Sequence, residues 1–566
     1  MNSAPQERPD YDVVIAGGAL AGAATAILLL REQPGLRILI LEKSTAFGRR
    51  VGEATVEVSG YFLCRVLRLT QYLNESHLVK QGMRFWFTNE RTSSLDNCSE
   101  IGGKYLSRVA AFQVDRAALD EEVLRRAAEL GAEVWRPASV GRITLKAGGM
   151  QTVEVKFSTK AEHPTSNIRQ PTSSGESASG NIEHQTSNAE RRSSETKTIS
   201  ARWVVDASGV AAVLARQEGW LKPNTQHPTT AVWARWTGVK DWDGAELAKK
   251  FPEWAQECFG IRATATNHLV GPGWWAWIIP LKGGDVSVGV VFDQRTMTWP
   301  EGGSLGQRLK DFLLKHPVGR EIMGDAQIRE NDVHWRKNLP YCSTTFAGDG
   351  FAIVGDAGAF IDPFYSPGMD WVAFTSWSSA QLILAQQRGE NIAPMVKKHN
   401  TTFARSYTRW FKAIYKDKYD YIGDFELMRI AFQLDLGLYY MGVASQPFKL
   451  GTKALSEPVF STPPSVPFYH FMSFYNRRLA SIGRARRKRG AWGKANDCRR
   501  LLVGGFTFSP KTAAPIIRAA SRWFWLELTE GWRTWFESER RTELMGQEAT
   551  VGLGTSNVQQ PTPNIQ

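Results

Sequence analysis

Residues 11–42 read YDVVIAGGALAGAATAILLLREQPGLRILILE, and the fold turns on whether this stretch is one buried helix or a succession of short elements. Val13 to Leu30 runs eighteen residues without a charge, the length of a short membrane span or a signal core. Asp10 and Asp12 precede it without a basic leader, which argues against both. Its internal order is more telling. Tyr11–Ala16 is β-rich, residues 17–22 (GGALAG) form a turn, and Ala23–Arg31 favours helix. A second apolar strand, Leu36–Leu41, ends in Glu42, twenty residues after Gly22. This is a βαβ unit with a dinucleotide fingerprint. Glycines admit a pyrophosphate, the helix start supplies N–H groups and positive dipole, and the acid takes a ribose hydroxyl. Ala19 stands at the second glycine of the pattern and narrows the loop slightly. The candidate contacts are Gly17, Gly18, Ala19, Ala21, Gly22 and Glu42. A glycine-bearing buried helix would leave Glu42 without a role.

Working outward, the chain has 566 residues, 42% apolar and 22% charged, which excludes a wholly disordered or collagen-like protein. Five cysteines without a CxxC pair exclude a disulfide scaffold and a cysteine-rich zinc site, so no metal is expected. That usage points to a reducing cytoplasm. The formal charge of +13 admits nucleic acid, an acidic protein or an anionic membrane. No nucleic-acid module accompanies it, so nucleic acid is the weakest of the three.

Along the chain, an amphipathic stretch spans Tyr61–Leu78, Lys80-Gln81-Gly82 breaks it, and Met83–Thr88 is strand-like. A helix follows Val114 and closes at Gly131. Residues 159–197 lose almost all large apolar side chains and read as a disordered insertion at a hairpin tip, as does the tail 546–566. Strand resumes at Ile199–Asp206, and alternating β sequence fills Thr229–Asp293. Phe351–Asp356 is a buried strand ending in Gly-Asp, with a helix starting near Met369. Residues 396–545 read as a helical, aromatic region, strongly basic between Arg477 and Arg500.

Glycine loop, Asp206-Ala207-Ser208-Gly209 and Gly355-Asp356-Ala357 together resemble the FAD-dependent monooxygenase fold of p-hydroxybenzoate hydroxylase type. The resemblance implies an α/β chain: an FAD-binding Rossmann-like domain, an interleaved β-sheet substrate domain and a mainly helical C-terminal region. The core would span 10–395, with FAD segments near 10–60, 105–158, 198–215 and 340–395. The substrate segments would be 61–104 and 216–339. It also implies that Asp356 contacts FAD and that Arg116 lies beside the flavin, the competing and weaker reading of Arg116 being an exposed helix cation.

Two motifs narrow the family. Trp275-Ala276-Trp277-Ile278-Ile279-Pro280 satisfies WxWxIP, and Phe360 to Gly368 (FIDPFYSPG) satisfies FxxPxxSxG. Both resemble the flavin-dependent halogenases. The resemblance places Pro363, Ser366 and Gly368 beside flavin and halide, and sets Trp275 and Trp277 as a wall that keeps substrate from the flavin. Read as plain β-sheet, the two tryptophans would share a core face anyway. The resemblance implies reduced FAD from a separate flavin reductase, and chloride or bromide oxidised to hypohalous acid. Lys80, in LVKQGMRFWF, resembles the family's lysine that steers hypohalous acid; a loop lysine is otherwise solvated. Tryptophan halogenases carry Glu before the motif serine, where this chain has Tyr365. That departure disfavours free tryptophan and points to an electron-rich phenol, pyrrole or polyene-type substrate of secondary metabolism, free or on a carrier protein.

The basic tail, Arg484 to Arg489 among Phe471, Phe474, Tyr475 and Trp492, has three readings: a solvated face, a dock for an acidic carrier protein, or peripheral membrane contact. The alternatives to halogenation are a monooxygenase of the same fold and a non-catalytic flavoprotein serving as a carrier- or membrane-bound partner.

Overall fold

The computed structural model describes residues 8–157 and 195–535. Most of the expected insertion and all of the 546–566 tail lie outside the described residues. Two sheets organise the chain. In the first, Tyr11–Ala16 is flanked by parallel partners Ile38–Leu41 and Thr196–Asp206, and Phe351–Ile353 continues the parallel set beyond the latter. Registers Ala16↔Leu41, Ala16↔Asp206 and Asp206↔Ile353 bring four strand ends into one row. The glycine loop, Glu42, the Asp206 turn and the Gly355-Asp356 turn therefore leave the sheet at one edge, where ligands of such sheets bind. These strands are near-continuous Val, Ile and Leu because helices cover the sheet. Helix Leu20–Glu32 packs beside Arg116–Glu129 and Gly368–Gln387.

The second sheet runs Gln327–Arg336, Thr229–Thr237, Val286–Asp293, Trp274–Pro280, Thr266–Gly271, Met83–Phe87, Ser99–Gly103, Arg500–Val503. Its last strand is a difference from expectation. The C-terminal region is mostly helical, yet Arg500–Val503 pairs in parallel with Ser99–Gly103, register Leu501↔Ile101. A strand this short gives no alternation to read, and its partner lies in a distant part of the sequence.

Three boundaries also move. The helix after the glycine loop starts at Leu20, not Ala23, because Gly22 fits inside its first turn. A Cβ at Gly22 would lie 1.9 Å from Gly17 O. The Tyr61–Leu78 stretch divides into Glu57–Tyr61, a π-turn Phe62–Val66 and Thr70–Ser76. The strand ending at Asp206 begins at Thr196, whose partner is Lys156, so the two ends of the expected insertion face each other in a hairpin.

Candidate active site

The nucleotide edge is assembled from backbone. Gly17 has φ +111°, and a Cβ there would lie 2.4 Å from Ala207 O, so glycine lets the loop press onto the neighbouring strand end. Gly18 N donates to Glu42 Oε2 (2.9 Å) and Ser44 N to Oε1 (3.0 Å), which fixes the acid at its strand end. Ala19 precedes helix Leu20–Glu32 without capping it, and Gly17, Ala19 and Ala21 are half-buried. Gly355, φ +59°, rests against Ala21, so the Gly-Asp turn lies directly over that helix start. Asp356 is half-buried, and its carboxyl is pushed up by burial while Arg116 and Arg336 pull it down. Gly368 opens helix Gly368–Gln387 after Pro367, again without a side-chain cap. Two uncapped helix starts and two acids at one edge fit a dinucleotide such as FAD.

Asp206 serves the fold instead. Its carboxylate accepts from Ser208 N and Leu214 N, closing its own turn. Arg116 is not a free helix cation. It is held by Asp120, whose Oδ1 also accepts from Leu20 N (3.2 Å), so the pair sits at the start of the glycine-loop helix.

Lys80 is only 2% exposed, on the wall of a cavity of about 150 Å³. Its Nζ donates to Thr55 O (2.9 Å). Burial pulls its pKa down to about 8, against the raising effect of Glu57 and Asp370. The loop break therefore carries the lysine inward, and the solvated reading fails. Asp370, on the same wall, has its carboxyl pushed up to about 7 by burial; its Oδ1 accepts from Ser59 N (2.8 Å) and Oδ2 from Tyr439 O–H (3.2 Å). Glu57, also raised by burial, accepts from Tyr440 O–H. Lys80, Asp370, Glu57 and the two tyrosines line the cavity with Tyr365 and Tyr415. Sequence reasoning missed Glu57, Asp370, Tyr439 and Tyr440. The first two had a signal, since one follows the Gly52-Glu53 turn and the other comes two residues after Gly368. The tyrosines arrive from a distant helix.

Trp275 and Trp277 share one face of their strand, ring centroids 5.9 Å apart, and both are buried. Trp275 Nε1 donates to Tyr419 O–H (2.7 Å), which donates to Asp362 Oδ2 (2.9 Å); His227 Nε2 bonds the same oxygen (2.9 Å). Trp277 Nε1 donates to Ser287 Oγ (3.1 Å). Neither tryptophan is among the residues lining the Lys80 cavity. Trp275 packs on Phe364, whose ring in turn meets that of Tyr365 in the cavity lining. Asp362 anchors the motif turn through Phe364 N, which donates to its Oδ1 (2.9 Å), and within the turn Ser366 N donates to Pro363 O (2.9 Å). Tyr365 and Ser366 both have positive φ, +65° and +57°, a costly conformation held by that anchor. Tyr365 donates to Asp435 Oδ2 (3.1 Å), and burial lifts its pKa well above the usual tyrosine value. It is a donor rather than a base.

The basic run is divided: Arg478 and Arg486 are buried, Arg484 and Arg487 half-buried, and Arg477, Lys488 and Arg489 exposed. Arg478 pairs with Glu527, Arg484 with Asp420, and Arg486 with Asp424, Glu426 and Glu530, while Arg489 also takes Glu530. These guanidiniums tie helix Val466–Lys488 to its neighbours, so Arg478 and Arg486 belong to the fold rather than to a solvated face. All five cysteines are free.

The family described as tryptophan halogenase matches residues 12–107. Among curated relatives, the flavin-dependent halogenase chlA of Dictyostelium discoideum is 24% identical over 492 residues, covering 83% of this chain and 76% of its own. The sulochrin halogenase gedL of Aspergillus terreus is 26% identical, covering 71% and 68%. Among solved structures, halogenase PltM superposes with a TM-score of 0.66 at 18% identity, covering 90% and 96%. The flavin-dependent brominase Bmp2 gives 0.54 at 19%, covering 83% and 99%.

Proposed function

We propose that this FAD-dependent oxidoreductase, which belongs with the flavin-dependent halogenases, halogenates an electron-rich aromatic substrate, a phenol foremost, held in the Lys80 cavity. One observation carries the reading: a buried ammonium on the wall of a largely apolar chamber, separate from the glycine-loop edge. Segments 10–60, 105–158, 198–215 and 340–395 hold the cofactor, and 61–104 with 216–339 form the substrate side.

Bound reduced FAD supplies, with O₂, the oxidising equivalents that convert halide to hypohalous acid. Gly17, Gly18, Ala19 and Ala21 would hold the phosphates, with Gly22 letting the helix start close onto Gly17 O, while Glu42 would take the ribose and Asp356 the chain next to the flavin. Arg116, Pro363, Ser366 and Gly368 border the ring and halide. Trp275 and Trp277 fill the space behind the motif turn and keep the substrate back. With a pKa near 8, Lys80 is mostly an ammonium at neutral pH. One N–H is used by Thr55 O, and the others are free to hydrogen-bond hypohalous acid and hold it over the substrate. Halogen transfer to the ring leaves hydroxide, which takes a proton from the Lys80 ammonium and departs as water. The ring proton passes by way of Tyr439 O–H to Asp370 Oδ2 and from there restores the charge of Lys80, so the product is the haloarene plus water.

Supply of reduced flavin by a separate reductase and the use of chloride or bromide belong to the same reading. The test is mass spectrometry of products formed with a flavin reductase, O₂ and either halide, from free and carrier-bound phenols. A halogen-bearing product with either halide supports it. Hydroxylated product without halide dependence would favour the monooxygenase reading.

A further inference from the structure

The outer helix, Ala513–Thr529, has two unlike faces. The inner face is packed: Ile516 lies against Gly437, Ala519 is buried, and Trp523 meets Phe471 and Phe474. The outer face leaves Ile517 63%, Phe524 61%, Trp525 67% and Leu528 56% exposed. At about 100° per residue these four fall within one third of the helix circumference. Trp532, in the turn that follows, is also exposed. Arg518 and Arg522 stand along one border of this arc, both exposed and with no ion pair among the described residues. The acids of the segment are drawn away from it: Glu527 is taken by Arg478, and Glu530 by Arg486 and Arg489. The internal arginine network thus leaves an outward face that is aromatic, aliphatic and cationic, without an anion.

We propose that this face docks the protein on an anionic lipid bilayer. Four large apolar side chains on one open helix face lose free energy in water and regain it on burial. Indoles favour the headgroup boundary, and guanidiniums on flexible stems reach lipid phosphates while their stems stay apolar. An array of aromatic and cationic side chains side by side, without an acid, matches the anionic headgroup boundary of a bilayer. Among the described residues no helix is long and apolar enough to cross a membrane, so the contact lies in the plane of the surface and reverses. Phe468, exposed on the rim of the Lys80 cavity, is one helical turn from Phe471, which packs on this helix.

The test is co-sedimentation of the full-length, FAD-loaded protein with vesicles of phosphatidylcholine alone or mixed with phosphatidylserine. The protein is expected to sediment with the mixed vesicles and about tenfold less with the neutral ones. Phe524→Ser/Trp525→Ser should abolish sedimentation. Arg518→Gln/Arg522→Gln should remove the preference for phosphatidylserine. Both variants alter exposed positions, so unchanged flavin absorbance and Tm verify the fold. No binding to mixed vesicles overturns the proposal. So does a dimer in light scattering that Phe524→Ser/Trp525→Ser dissolves, or binding that appears only after removal of residues 536–566. Equal binding by wild type and Phe524→Ser/Trp525→Ser would also overturn it. Capture of an acidic carrier protein by the same face, with no vesicle binding, would assign it to that partner instead.

Discussion

Lys80 is the residue on which the chemistry is staked, and its burial makes two predictions separable. Lys80→Met should cut halogenated product by at least about a hundredfold, read by mass spectrometry, while flavin absorbance is retained. It should not lower Tm, because the change removes a charged group whose burial is costly and leaves a side chain of similar volume. Asp370 behaves oppositely with pH. Its folded pKa is raised, so folding binds its proton more tightly, and this site costs stability progressively as pH climbs from about 4 to 7. Asp370→Asn should flatten that decline in Tm, and should remove the pH dependence of kcat near neutrality. A kcat profile and a Tm decline that are the same in wild type and in Asp370→Asn would take Asp370 out of the proton path. Of this chamber, the sequence made the lysine legible through its Lys-x-Gly setting. It hid the two carboxyls' partners, because Tyr439 and Tyr440 reach the cavity only once a helix far beyond Asp370 in the chain is packed.

Helix Val466–Lys488 shows what composition conceals at the level of elements. A run of arginines in sequence has no stated partner, and exposure is the ordinary expectation for such residues. The acids that neutralise this run lie on three other segments, at Asp420, Asp424 with Glu426, and Glu527 with Glu530. Asp424 is buried and also caps helix Phe425–Tyr439 through Glu426 N and Leu427 N, so Arg486 balances a carboxylate the fold cannot release. Arg486→Ala is expected to destabilise by roughly 3–5 kcal/mol in urea unfolding, since it strands that charge. Exposed Arg518→Ala should change stability by less than about 0.5 kcal/mol. By contrast, the first βαβ unit was legible almost residue by residue, because strand, turn and helix there are decided by neighbours. The main shift is at the start of its helix, where a glycine served close packing rather than a turn, and the second strand begins at Ile38 rather than Leu36.

At the scale of the molecule, the parallel row of strand ends at Ala16, Leu41, Asp206 and Ile353 followed from sequence, since each strand announced itself with an apolar run and a small or acidic terminus. The hairpin holding the compositionally poor stretch is a further test. Phe157 N donates to Glu195 O (3.0 Å) and Lys156 faces Thr196, so two residues suffice to join the arms. Replacing residues 158–194 with Asn-Gly should leave flavin content unchanged and move Tm by only a few degrees, checked by absorbance and thermal unfolding. What composition could not reveal was the closing strand, Arg500–Val503 beside Ser99–Gly103. During synthesis at about 5–20 residues per second, the open flank of Ser99–Gly103 waits some tens of seconds for its partner to leave the ribosome. For that interval the nascent chain presents an unpaired strand edge on its second sheet, a template for pairing with another chain until Arg500–Val503 covers it.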